Sequence, residues 1–163
     1  MQWDSFWVRK GFVLTRIEIG KEKAHLVSNT NRTLRGASVA TTLEKGFLAV
    51  RKAGHLCVAT ENQNYTDYTG REKTMEVRMD VLRPGMRVLL VDQWIETGGT
   101  MKAAIQLVEK FGATVVGVAA VAIENTEGGK WIKENYKFSH CIPDELQSQI
   151  DQKALDSFKK FKS

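Results

Sequence analysis

Cysteine is scarce, with Cys57 and Cys141 the whole complement. Two thiols cannot build a disulfide framework, and their spacing lacks the pairing of a zinc site, so both are expected as free, buried thiols. His25, His55 and His140 lie far apart with no local pattern linking them, and structural or surface positions are expected rather than a metal or triad role. Long apolar runs are also lacking. Val115 to Ile123 is too short for a membrane span and is interrupted by Gly117, so it reads as a buried strand. The first ten residues place Asp4, Arg9 and Lys10 around Trp3, Phe6 and Trp7, without the basic start, apolar core and cleavage site of a secretion signal. A cytosolic protein with no membrane partner is expected.

Across 163 residues, 42% hydrophobic and 26% charged residues describe one globular domain with a real core. The net charge of +5 is scattered and accompanies no recognised nucleic-acid motif, so nucleic acid is not an expected partner. Phosphate-rich small ligands account for the balance equally well.

From residue 25 onward, short apolar runs alternate with helical stretches, the pattern of a parallel sheet with helices packed on it. Ala24 to Val27 reads as a first strand, Ser28 to Thr33 as a polar loop, and Leu34, Val39 and Leu43 as one face of a helix stopping near Gly46. Phe47 to Val50 is the next strand. Ala53 to Thr74 turns polar and reads as a long loop or an excursive hairpin, favoured as an active-site lid over a disordered linker. Met75, Val77 and Met79 alternate with charged residues, as in a half-exposed returning strand. Arg83-Pro84-Gly85 makes a turn into a strand at Arg87 to Val91, followed by a helix from Met101 to Phe111, a left-handed stop at Gly112 and a strand from Thr114 to Ile123. The tail, Lys153 to Ser163, reads as a terminal amphipathic helix.

Chemistry concentrates in Val88-Leu89-Leu90-Val91-Asp92-Gln93-Trp94-Ile95-Glu96-Thr97-Gly98-Gly99-Thr100. A buried strand delivers Asp92 to its C-terminal edge, where it can accept hydrogen bonds from sugar hydroxyls. Gly98 and Gly99 let the backbone approach an anion at a helix N-terminus, and the Thr97 and Thr100 hydroxyls add donors. Taken alone, Thr-Gly-Gly-Thr reads as a turn and helix cap before it reads as a binding motif, and it is the surrounding stretch that reverses this.

The stretch resembles the phosphoribosyl-pyrophosphate motif of the type I phosphoribosyltransferases: four apolar residues, two acidic, two apolar, one variable, then Thr-Gly-Gly-Thr. The resemblance covers roughly residues 24 to 135 and is nearest to the adenine-specific members. Leu34 to Ala40 is similar to the helix after that family's pyrophosphate loop, Val50-Arg51-Lys52 to its next strand end, and Met75 to Gly85 to the run leading into the motif. It implies an α/β fold: a single domain with a mostly parallel central sheet of about five strands flanked by helices. The domain is taken as 1–163, with a core of 24–135, a divergent segment 1–23 and an extension 136–163.

The implied reaction transfers phosphoribose from phosphoribosyl pyrophosphate to a purine-type base, adenine first, releasing pyrophosphate and giving a nucleoside monophosphate. Magnesium is expected through the substrate rather than on protein ligands, and a homodimer is the expected assembly. Glu96 through Thr100 would hold the 5′-phosphate and Asp92 a ribose hydroxyl. Arg51 and Lys52, with Arg32 as a weaker candidate, would neutralise the pyrophosphate. The loop around Asp67 and Tyr68 would close over the substrate and exclude water. Glu96 is read either as a general acid/base for a ring nitrogen or as a solvent-facing carboxylate near a helix N-terminus.

Several positions depart from the family pattern. Gln93 stands where a second acidic residue is expected, and it can bond a hydroxyl without bringing negative charge. The segment Ser28 to Thr33 lacks the expected acidic and glycine positions, Asp67 replaces a glutamate, and the N-terminal hood with its proline-glycine turn has no counterpart, so base specificity is not carried over. Two alternatives stay open: a weak or inactive regulatory protein that binds phosphoribosyl nucleotides, and an interaction protein whose Trp3, Phe6 and Trp7 form a dimer contact.

Overall fold

The computed structural model describes residues 24–29, 33–67 and 69–147. Arg32, Tyr68, the N-terminal aromatic segment and the C-terminal tail lie outside the described residues. Described elements follow in the order β1 (Ala24–Asn29), α1 (Thr33–Thr42), β2 (Gly46–Lys52), β3 (Thr60–Thr66), β4 (Glu72–Arg78), β5 (Arg87–Ile95), α2 (Gly99–Lys110), β6 (Thr114–Ile123), α3 (Glu127–Asn135) and β7 (Phe138–His140).

They form one seven-stranded sheet in the order β3-β4-β2-β1-β5-β6-β7. The five strands from β2 to β7 are parallel, and β4 and β3 add antiparallel to the β2 edge. The sheet is thus larger than the expected five strands, because the polar stretch after β2 is a hairpin that joins it. It also continues beyond residue 135, where β7 pairs with β6.

Alternation along β5 sets the two faces of the sheet. Val88 and Leu90 belong to the larger core with Ile105, Leu107 and Val108 of α2 and Ile132 of α3. Leu89 and Val91 face the other way, onto Val39 and Ala40 of α1 and Leu43 just after it. Opposite faces follow from strand order, since β1 leads outward to β2 while β5 leads outward to β6, and right-handed crossovers then place α1 and α2 on opposite sides. The order in which strands are added reverses between the parallel neighbours β1 and β5. Ligands of open α/β sheets bind in the crevice beyond the strand ends at such a switch point.

Register fixes what faces that crevice. Ser28 of β1 pairs with Ala49 on one side and Val91 on the other, so Val50, Asn29 and Asp92 fall in the next row. The ends of β2 and β5 therefore stand about 10 Å apart, two strand spacings, on the same edge of the sheet.

Candidate phosphate and ribose site

β5 runs four residues beyond the Val91 end read from sequence, with Asp92, Trp94 and Ile95 still paired to Ala120, Ala122 and Ile123 of β6. Extension is possible because Ala120 and Ala122 are small and buried, leaving room for a polar strand end beside them. Asp92 and Gln93 are half-buried, and the Gln93 N–H donates to Asp92 Oδ1 at 2.7 Å. That bond turns one carboxylate oxygen back to the backbone.

The chain then leaves the sheet through Glu96 and Thr97, both exposed, and enters α2 through Gly98. Gly98 has φ 78°, a left-handed conformation that side-chain-bearing residues rarely hold, and no side chain caps the helix start. The first turn, Gly99 to Lys102, carries no acidic residue and leaves the positive end of the helix dipole facing the crevice. Thr97 is exposed and Thr100 half-buried beside it.

A second loop braces this turn from behind. A Cβ on Gly98 would come within 2.9 Å of the Gly128 carbonyl carbon, and a Cβ on Gly128 would overlap the Thr97 carbonyl oxygen. The Thr126 hydroxyl donates to the Glu96 carbonyl at 2.6 Å and accepts from Gly129 N–H at 3.1 Å, capping α3 while tying it to the motif. Glu124 N–H bonds the Ile95 carbonyl at 2.9 Å, and the Trp94 indole N–H donates to the Glu124 carboxylate. Sequence reasoning missed Glu124, Thr126, Gly128 and Gly129. The pair of glycines after Thr126, at a helix start, was the available signal.

The hairpin reaches the site from the opposite side. At one end of α2, Lys110 Nζ donates to Glu61 Oε1 at 2.5 Å; at the other, Thr66 lies so close to Gly99 that a Cβ there would overlap its carbonyl oxygen. Gly99 to Lys110 spans about 16 Å of helix and Glu61 to Thr66 about 16 Å of strand. β3 therefore runs along α2 and delivers the Asp67 turn to the helix start.

Asp67 is buried, and its carboxylate accepts from Thr69 N–H at 2.8 Å, Thr69 Oγ1 at 2.6 Å and Arg71 N–H at 3.1 Å, as well as from Lys73 Nζ. The Lys73 bond above all, then Thr69 and Arg71, holds its pKa well below the usual carboxylate range. The expected lid residue is thus the clasp of its own turn.

Arg51 is half-buried and Lys52 exposed at the end of β2. Glu76 was read as a charge on the exposed face of β4, but it is buried, 4% exposed, between Met75 and Val77. Its carboxylate is satisfied there by backbone amides of Gly54, His55 and Leu56. Cys57 is exposed, not buried as expected, and Cys141 is half-buried, its thiol pushed up by burial. His55 is exposed and His140 half-buried. Among the described residues no three His, Cys, Asp or Glu side chains are grouped to hold a metal ion, and no helix is long and apolar enough to cross a membrane.

The phosphoribosyl transferase domain family matches residues 34–157. An adenine phosphoribosyltransferase of Nocardioides sp. is 55% identical over 84 residues, 52% of this chain and 45% of that protein. The chain spans about half the length of the curated relatives it matches. Among solved structures, the adenine phosphoribosyltransferase of Thermoanaerobacter pseudethanolicus superposes with a TM-score of 0.67 at 29% identity, covering 75% of this chain and 71% of that one. The Trypanosoma brucei enzyme, solved with AMP, pyrophosphate and ribose-5-phosphate, gives 0.65 at 30% identity, covering 76% and 57%. Matching most of its length in sequence, and superposing on those enzymes, this chain belongs to the phosphoribosyl transferase domain family.

Proposed function

We propose that the chain transfers phosphoribose from phosphoribosyl pyrophosphate to adenine, giving AMP and pyrophosphate. The observation that carries this reading is the left-handed Gly98 turn at the start of α2, at the switch point of the sheet and one strand away from β1. The relatives' names and the AMP, pyrophosphate and ribose-5-phosphate held by the Trypanosoma brucei enzyme support the choice of substrate.

In this mechanism, the amides from Thr97 to Thr100 and the two threonine hydroxyls take the 5′-phosphate. Asp92 accepts from one ribose hydroxyl and Gln93 bonds the other. Arg51 and Lys52, about two strand spacings away, meet the pyrophosphate and neutralise the charge it gains on leaving. The bond from C1 of the ribose to the pyrophosphate oxygen breaks, a ring nitrogen of the base bonds C1, and the nitrogen's proton is released. Glu96, exposed at the mouth of the crevice, is the nearest carboxylate in sequence to the cradle and the candidate to receive that proton. Magnesium fits this site as a companion of the diphosphate, whose oxygens would hold it and whose charge it offsets. A cytosolic homodimer belongs to the same reading.

A second reading, a regulatory protein that binds phosphoribosyl nucleotides without turnover, is favoured by two observations. Asp67 has its carboxylate engaged by Lys73 and Thr69, and Gln93 brings no charge to stabilise a cationic sugar. The deciding experiment supplies phosphoribosyl pyrophosphate, magnesium and adenine and measures pyrophosphate release. Turnover establishes the transferase; AMP binding without turnover establishes the regulator.

A further inference from the structure

Between β2 and β3 the chain is thinly anchored, since every residue from Ala53 to Ala59 except Leu56 is exposed. A segment with so few apolar contacts is held by its hydrogen bonds. Ala53 N–H bonds the Thr74 carbonyl at 3.0 Å, and the next three amides, Gly54, His55 and Leu56, all converge on one side chain. Glu76 accepts them at 3.1, 2.8 and 2.8 Å, and the Thr60 hydroxyl adds a fourth bond at 3.3 Å. Gly54 sits at φ 84°, the left-handed value that lets consecutive amides point inward.

Glu76 stands directly opposite Arg51 in the β2–β4 ladder, with Met75 opposite Lys52. Burial opposes its ionisation, yet the converging amides prevail and keep its pKa below the ordinary glutamate value. A buried carboxylate is an expensive way to stabilise a strand, and an apolar side chain would serve that purpose better. What the carboxylate does that an apolar group cannot is fix the direction of three successive amides immediately after Arg51 and Lys52.

Building on the proposed transferase reading, we infer that Glu76 is a positioning residue for the pyrophosphate end of the substrate. By pinning the turn at Gly54 to Leu56 it fixes where β2 ends, and so where Arg51 and Lys52 present their charges. The 5′-phosphate cradle is built instead on β5 and α2, two strand spacings from β2.

The test is Glu76→Gln in the full chain, an isosteric change that sets an NH2 donor against the amide donors. Calorimetry is run with magnesium pyrophosphate and, separately, with AMP, alongside steady-state kinetics. Expected are roughly tenfold weaker pyrophosphate binding and a similarly raised KM for phosphoribosyl pyrophosphate, with AMP affinity and the KM for adenine within about twofold of wild type. Thr60→Val, which removes only the fourth bond, is expected to shift pyrophosphate binding in the same direction by about twofold to threefold and serves if Glu76→Gln does not fold. Unchanged pyrophosphate affinity in a folded variant, or equal losses for pyrophosphate and AMP, overturns the inference. Wild-type protein that binds neither ligand overturns the transferase reading itself.

Discussion

Around Thr97 to Thr100 the chain is held by steric necessity, whereas the turn of the hairpin that meets it is closed by one carboxylate, Asp67. Gly98, Gly99, Gly128 and Gly129 each face another backbone where a Cβ would intrude, so the cradle has one arrangement and little room to relax. The hairpin has polar residues on both faces of β3, and its turn depends on Asp67 bonding Thr69, Arg71 and Lys73. On the proposed reading, the first is the anion site and the second the cover of a water-sensitive sugar transfer.

The comparison breaks most visibly at Gly128. Gly128→Ala would force the α3 start away from Thr97, and a loss of about 3 kcal/mol in chemical denaturation is expected, together with weakened AMP binding. A loss below about 0.5 kcal/mol would mean that the two loops are not locked together.

Gly99→Ala sharpens it, because the added methyl meets Thr66 of the hairpin rather than the core. A smaller loss of about 1–2 kcal/mol is expected, with faster hydrogen exchange at Asp67 and Gly70 and unchanged exchange in the middle of α2. Uniformly faster exchange would place the strain in the helix instead. Asp67→Asn acts more locally still. It removes the ion pair with Lys73, so the amides of Thr69, Gly70 and Arg71 exchange faster while AMP affinity is retained.

The smallest effect is on acid stability. Asp67 and Glu76 both ionise below their unfolded values, so their contribution is fully present above about pH 4 and is lost as pH falls through the folded values. Thermal melts are expected to hold steady from neutral pH down to about pH 4 and fall below it, with a shallower fall in Asp67→Asn. An identical acid profile in that variant would remove Asp67 from the account.

Much of this was legible in sequence where hydrophobic periodicity and glycine placement carry the information. The β5–α2–β6 unit, the Gly112 stop and the α1 helix all emerge from apolar spacing, and their core residues pack as that spacing requires. The hairpin was not resolved from a loop, because β3 is Thr-Glu-Asn-Gln-Asn-Tyr-Thr, an edge strand whose pairing comes from β4 and whose position comes from α2, neither of which is local. The burial of Glu76 was missed for a related reason. Its alternation with Met75 and Val77 points outward, and only the amides of a turn some twenty residues away in sequence make burial tolerable. β5 outran its apolar run because Ala120 and Ala122 on the neighbouring strand admit a polar strand end.

The central claim, that the Gly98 turn is a phosphate cradle, is tested most directly by titrating AMP into wild type and Gly98→Val in a calorimeter. A β-branched residue cannot hold φ 78° without strain, and its Cβ would press on Gly128. The account predicts measurable AMP binding by wild type and none by a variant whose circular dichroism remains that of a folded α/β protein. Equal affinity in the two proteins would contradict it.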